Sequence, residues 1–259
     1  MRVAGVDGCR SSDKAGGWIA VVRELEDGAA RTVLTIRVVH LAELLDRPDP
    51  PAVVAVDMPI GLPDLTGPKG RAPERLVRPR LGGRQSSVFS IPSRAAVYAG
   101  VDTAIPLEER YRHACAIARE TSDGGKAVAK QGFHIFPKIV EIDRLLRDRP
   151  EFRAVVRECH PEVAFWAMNG EAPLAEPKKV KGAPYPAGLA LRRRLLQAQG
   201  FEPDVMAAER ARALRVGADD LIDACAASWT AARIARGHAV SFPDPPEHDA
   251  HGLPVAIWA

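Results

Sequence analysis

The chain has 259 residues, of which 46% are hydrophobic and 27% charged, as is typical of a globular protein that can bury a substantial core. Its net charge of +3 is too small to indicate a nucleic-acid partner unless the basic residues cluster. The four cysteines form no CxxC pair, which argues against structural zinc and a disulfide framework and favours a reducing, cytoplasmic location. The sequence contains neither a signal-peptide pattern nor an apolar run long enough to span a membrane, so we expect no membrane association.

The N-terminal part of the chain predicts a series of strands. β-Branched runs separated by turn residues occur at VAGVD (3–7), GWIAVVREL (17–25) and RTVLTIRVV (31–39), and their spacing favours antiparallel hairpins. A short helix is expected at 41–47, and a fourth strand at AVVAVD (52–57). This order predicts a mixed α/β sheet rather than a series of βαβ units.

The middle of the chain predicts two insertions. Residues 61–105 are rich in Gly, Pro and Arg and favour a long loop or a small inserted lobe, and such segments are usually functional. Helical patterns at 106–121 and 135–148 predict a helical insertion at about 106–150. Residues 155–170 are typical of a strand that runs into a helix, and residues 171–186 of a loop. Later helices are predicted near 187–198, 204–214 and 218–236.

Acidic residues follow two of the predicted strands. Asp7 ends the first strand in GVDGCR, and Asp57 ends the fourth in AVDMPIG. Ligands of open α/β sheets bind beyond the strand ends, and two carboxylates brought together there would repel one another unless a cation lay between them. Each acid alone could simply cap a turn. For the pair, we favour a site for a divalent metal ion.

Two further acidic groups occur late in the chain. In GADDLIDACAASW, Asp220 and Asp223 are three residues apart and share one face of a predicted helix, where Asp223 is a candidate metal ligand. In ECHPEVAFW, Glu158 ends a predicted strand, and Glu162 lies at the start of a helix. A catalytic role and a helix-capping role are equally compatible with this second group. His160 could also be a ligand, but a single histidine near a core is more often simply hydrogen-bonded.

Together, several sequence blocks resemble the DUF429 family. They are GVDGCR, GWIAV, VDMPIGLP, GRAPERLVRPRLG, RQSSVFSIPSR, ECHPEVAFWAMNG and DDLIDACAASWTA, and they cover residue 3 to about 236. The family is regarded as a group of predicted nucleases with an RNase H-like fold. The resemblance therefore implies a single domain over 1–259 with a mixed five-stranded sheet, three antiparallel strands followed by parallel strands, and helices on both faces. It also implies a metal-binding carboxylate cluster made by Asp7, Asp57 and either Asp220 or Asp223.

The expected chemistry is metal-dependent hydrolysis of a phosphodiester. Two Mg²⁺ or Mn²⁺ ions about 3.5–4 Å apart can activate a water molecule and stabilise the leaving oxygen. Asp7 would bridge the ions, while Asp57 and Asp220 or Asp223 would each hold one. Glu158 is a further catalytic candidate.

Basic residues concentrate in the segment 64–94, which favours nucleic acid as the partner, whether DNA or RNA. A solvated arginine-rich loop is the structural alternative. The side chains expected to contact phosphates are Arg10, Arg71, Arg75, Arg84, Ser86 and Ser87. Lys178 and Lys181, in a stretch expected to be a mobile surface loop, are weaker candidates.

Two other functions are compatible with the same residues. The stretch DGCRSSDKAGGW (7–18) could bind phosphate through its backbone, as in ATP-dependent phosphotransferases of the actin and hexokinase lineage, although one such domain lacks the second half of those proteins. Alternatively, the acids could be structural and the arginine-rich segment could belong to a non-catalytic nucleic-acid-binding module.

Overall fold

A five-stranded mixed sheet forms the centre of the protein in the computed structural model, which describes residues 1–9, 16–26, 28–180 and 182–259. Its strands are β1 (Arg2–Cys9), β2 (Gly17–Glu26), β3 (Ala29–Val38), β4 (Val53–Val56) and β5 (Val156–Glu158). The order across the sheet is β3-β2-β1-β4-β5. The first three strands are antiparallel, and β4 and β5 run parallel to β1. The predicted RNase H-like sheet is thus confirmed.

Helices and two small hairpins complete the described chain. The helices are α1 (Leu41–Leu45), α2 (Ala72–Val77), α3 (Arg94–Ala99), α4 (Leu107–Glu120), α5 (Lys130–Phe133), α6 (Phe136–Asp148), α7 (Pro161–Met168), α8 (Pro186–Ala198), α9 (Ala208–Leu214) and α10 (Ala218–Ala235). The hairpins are β6 (Lys179–Val180) with β7 (Ala183–Pro184), and β8 (Ser241–His248) with β9 (Pro254–Trp258). Short 3₁₀ helices occur at Arg78–Ser87, Pro150–Ala154 and Pro203–Met206.

Helices cover both faces of the sheet, as predicted. On one face, α1 and α6 bury residues such as Leu44 and Ile139 against β1, β2 and β4. On the other face, α10 lies directly on β1: a Cβ atom added to Gly5 would be 1.8 Å from the backbone nitrogen of Ser228. Only glycine permits this approach, and it brings the first turns of α10 to the end of β1.

Two segments contain secondary structure that the sequence did not predict. Residues 61–105 contain α2, a 3₁₀ helix and α3, because Pro73 stands at a helix start and buried Val77 and Leu81 attach the segment to the core. Residues 171–186 contain the β6–β7 hairpin rather than only a loop. Among the described residues, no helix combines the length and the apolar character that crossing a membrane requires.

Candidate metal centre

Three aspartates from different elements meet at one edge of the sheet. Asp7 lies on β1, and Asp57 directly follows the parallel neighbour β4, where its backbone nitrogen donates a hydrogen bond of 2.8 Å to the carbonyl of Val6. Asp223 lies on α10, inside the helix that Gly5 allows to approach β1. One carboxylate oxygen from each of the three lies within 4.8 Å of the others. Asp7, Asp57 and Asp223 are hereafter the carboxylate cluster.

Burial and repulsion act on the protonation of the cluster. Burial, followed by the charges of Asp57 and Asp223, raises the pKa of Asp7 well above its ordinary value. Burial also raises the pKa of Asp57 and that of Asp223 to about 7, even though Lys178 opposes both shifts. Carboxylic acids with such pKa values favour a cation nearby, because a cation relieves both the desolvation and the repulsion.

Lys178 supplies one such cation. Its Nζ donates a hydrogen bond to Oδ2 of Asp223, whose side chain is only 3% exposed. Burial lowers the pKa of Lys178, but the charges of Asp223 and Asp7 outweigh burial and raise the pKa above its ordinary value. The sequence-based expectation of a mobile surface loop is therefore wrong for Lys178. The signal that could have identified Lys178 is Asp223, an acid on an apolar helix that needs a positively charged partner when it is buried. Lys181 lies outside the described residues.

One oxygen of the cluster has no partner among the described residues. Oδ1 of Asp223 is buried and makes no hydrogen bond, although its neighbour Oδ2 is bound to Lys178. Buried polar atoms are normally satisfied, so an unpartnered oxygen on an acid that lies close to two further carboxylates is what a cation site requires. Carboxylate oxygens are the ligands that Mg²⁺ and Mn²⁺ prefer. The residues present therefore fit the expected metal.

Asp220 is not a member of the cluster. Its Oδ2 accepts a hydrogen bond of 3.3 Å from the backbone nitrogen of Gly217 and so caps the start of α10. Its charge still contributes to the raised pKa values of Asp7 and Asp57. Of the two alternatives that the sequence left open on this helix, the geometry selects Asp223. Asp219 pairs instead with Lys179, at 2.7 Å.

Glu158 and Arg71 are paired with each other rather than available to a metal or a phosphate. Arg71 Nη2 lies 2.7 Å from Glu158 Oε1, and the two side chains are 2% and 4% exposed. Arg71 also binds Glu74 and the backbone carbonyl of Ile60, whose N–H donates to Glu158. The expected catalytic role of Glu158 and phosphate-binding role of Arg71 are corrected accordingly: both side chains fasten the turn that follows Asp57.

Glu162 and His160 are also engaged within the protein. Glu162 forms a buried ion pair with Arg192, with 2.6 Å between Nη2 and Oε1. His160 Nδ1 accepts a hydrogen bond of 3.2 Å from the backbone nitrogen of Glu162, as an N-cap of α7. Of the two roles that the sequence left open for this group, the contacts support the structural one.

The remaining candidates for phosphate contact lie around the segment 75–87. Arg75 and Ser86 are exposed, and Arg84 is half-buried. Ser87 donates a hydrogen bond of 2.8 Å to the carbonyl of Arg84 and lines the cavity described next. Arg10, and most of the turn proposed to bind phosphate through its backbone, lie outside the described residues.

A cavity of about 250 Å³ opens beside Asp7 and Asp57. Its wall includes Phe89 and His134 and also Lys138, whose Nζ donates to the carbonyl of Gly17 and lies 4.1 Å from the centre of the Trp18 ring. Lys138 was not singled out from the sequence, where it is an ordinary polar residue of an amphipathic helix. The cavity gives a ligand access to the cluster between the sheet edge and the segment 61–105.

Fold and site together define a mixed α/β protein with a carboxylate cluster, of which Asp7 and Asp223 are buried, beside an open cavity. The model of the DUF429 family, described as a protein of unknown function, matches residues 5–248, so the chain belongs to this family. Neither a comparison with curated proteins nor one with solved structures gives a significant match.

Proposed function

We propose that the protein is a divalent-metal-dependent phosphodiester hydrolase that acts on nucleic acid. The observation that carries the proposal is the convergence of Asp7, Asp57 and Asp223, with one oxygen of each within 4.8 Å of the others and one buried oxygen unpartnered. Such an arrangement is costly without a cation and well suited to one.

Asp7, Asp57 and Asp223 would hold the metal. When bound, Mg²⁺ or Mn²⁺ lowers the pKa of a water molecule and polarises a phosphoryl oxygen. Lys178 keeps Asp223 in place from the side of the β6–β7 hairpin. The cavity beside Asp7 and Asp57 admits the scissile phosphate, and Lys138 in its wall places a positive charge within reach of that phosphate.

Nucleic acid is the proposed substrate class, because exposed Arg75, half-buried Arg84 and the hydroxyls of Ser86 and Ser87 lie on the segment that borders the cavity. Arginine and serine side chains of this kind commonly contact phosphate oxygens. A cytoplasmic location is part of the proposal, and it is supported by the four free, buried cysteines.

The test is cleavage of labelled single-stranded and duplex DNA and RNA with Mg²⁺, with Mn²⁺ and with a chelator. We expect cleavage that depends on the metal and is lost in Asp7→Asn and Asp57→Asn. Asp220→Asn is the matched control, since this acid caps the same helix that carries Asp223 and lies outside the cluster. Cleavage that survives both Asp7→Asn and Asp57→Asn would refute the proposal that the carboxylate cluster is the catalytic metal site.

A further inference from the structure

Contacts of the neighbouring backbone hold Lys178 beside the carboxylate cluster. Its backbone carbonyl accepts a hydrogen bond of 2.9 Å from the nitrogen of Tyr185. The preceding Pro177 packs so closely on α8 that a Cβ atom on Gly188 would lie 1.8 Å from its carbonyl oxygen. One residue earlier, the carbonyl of Glu176 accepts from the fully buried Arg192, at 3.2 Å. The ammonium group is thus a built part of the site.

The oxygen atoms left free by Lys178 suit one metal ion. Lys178 occupies Oδ2 of Asp223, which leaves Oδ1 of Asp223 and the carboxylates of Asp7 and Asp57. Two-ion sites place their metals about 3.5–4 Å apart and need a carboxylate between the ions and further ligands on each. Among the described residues, the neighbouring acids Asp219 and Asp220 are engaged by Lys179 and by the start of α10.

We propose that Lys178 stands in place of a second metal ion, so that the site takes one divalent cation per chain and the ammonium group supplies the other positive charge beside the scissile phosphate. This inference rests on the proposed metal site and goes beyond it in the number of ions and in the role of Lys178.

The experiment counts Mn²⁺ bound to the full-length, chelator-treated protein by titration calorimetry and by electron paramagnetic resonance. We expect about one Mn²⁺ in the wild type and about two in Lys178→Met, because the substitution frees Oδ2 of Asp223 as a ligand for a second ion. Spin coupling between the two ions should appear in the variant only. Lys178→Gln gives the same result if the methionine variant does not fold. Lys179→Met is the matched control and should still bind about one ion, because its partner Asp219 is outside the cluster.

Two bound ions in the wild type would overturn the inference and leave the metal-dependent hydrolase intact. One ion in both folded Lys178 variants would also overturn it, as would binding that appears only when Lys178 is removed, since Lys178 would then compete with the metal. No binding in any of the proteins would refute the proposed function itself.

Discussion

Arg71 and Glu158 form a buried ion pair across the turn that follows Asp57, with 2.7 Å between Nη2 and Oε1. Because Arg71 also donates to the carbonyl of Ile60 and Glu158 accepts from its nitrogen, the pair holds both sides of this turn. The position of Asp57 at the end of β4 therefore depends on charges that do not themselves reach the carboxylate cluster.

Replacing Arg71 by methionine should destabilise the protein by about 3 to 5 kcal/mol, because Glu74 and Glu158 would remain buried without a cation. Urea denaturation measures this loss. Arg75→Met, on the exposed side of α2, should cost less than about 1 kcal/mol. Equal losses in the two variants would contradict the structural role of Arg71.

Replacing Asp7 by asparagine should abolish metal binding and leave the metal-free protein at least as stable as the wild type. The reason is that burial and the charges of Asp57 and Asp223 raise the pKa of Asp7, so its ionised form is unfavourable in the folded state. Thermal unfolding in a chelator at pH 8 checks this. A fall in the melting temperature of more than a few degrees would indicate that Asp7 is structural.

The metal-free protein should lose stability as the pH rises. Asp57 has its pKa raised from 3.8 to about 7 by burial, so between those values the folded state holds a proton that the unfolded chain has released. Its contribution to stability is present below about pH 4 and is lost by about pH 7. The difference in unfolding free energy between the wild type and Asp57→Asn should therefore fall over this range, at up to about 1.4 kcal/mol per pH unit.

Metal binding has the opposite pH dependence, since the ligands must be deprotonated to bind. Affinity for Mn²⁺ should rise steeply through about pH 7, where Asp57 and Asp223 ionise.

For the measurement of stability against pH, Asp64→Asn is the control because Asp64 is exposed and outside the cluster. A difference curve for Asp57→Asn that is as flat as that of the control would contradict the raised pKa.

If the segment 75–87 contacts duplex DNA, Arg75→Ala combined with Arg84→Ala should weaken binding and lower the slope of log affinity against log salt by about 2, since each phosphate contact contributes about 0.9. Fluorescence anisotropy at several salt concentrations measures the slope. Arg2→Ala combined with Arg31→Ala is the matched control, because β-sheet pairing aligns both arginines with Glu24, at the opposite end of β1 from Asp7. Equal changes in slope would refute a specific contact surface.

Gly5→Ala should prevent folding or reduce stability severely, because the added methyl group would meet the backbone of α10 at Ser228 and Ala224 rather than a side chain that can move. Circular dichroism and denaturation would show the loss. Gly83→Ala is the control, since its added Cβ meets no atom within 4 Å. A Gly5→Ala variant that melts like the wild type would contradict the packing of α10 on β1.

The five strands of the central sheet, most of the helices and the pairing of Asp7 with Asp57 could be predicted because they depend on local signals. Alternation and β-branched runs identify strands, and two acids that end neighbouring parallel strands must lie at the same edge. The helices within 61–105 could not be predicted in the same way, because they are short and their apolar residues are anchored by distant parts of the chain.

By itself, the sequence determined the mixed sheet, the family and two of the three clustered acids, since these follow from patterns within a few residues of each other and from motifs along the chain. Only the tertiary structure decided between Asp220 and Asp223, paired Arg71 with Glu158 in the wall of the cavity and brought Lys178 to the carboxylate cluster. The physical reason is that ion pairs form between residues far apart in the chain. Lys178 and Asp223 are 45 residues apart, and Arg71 and Glu158 are 87 apart. Burial makes each of these charges take a partner, but the fold determines which one.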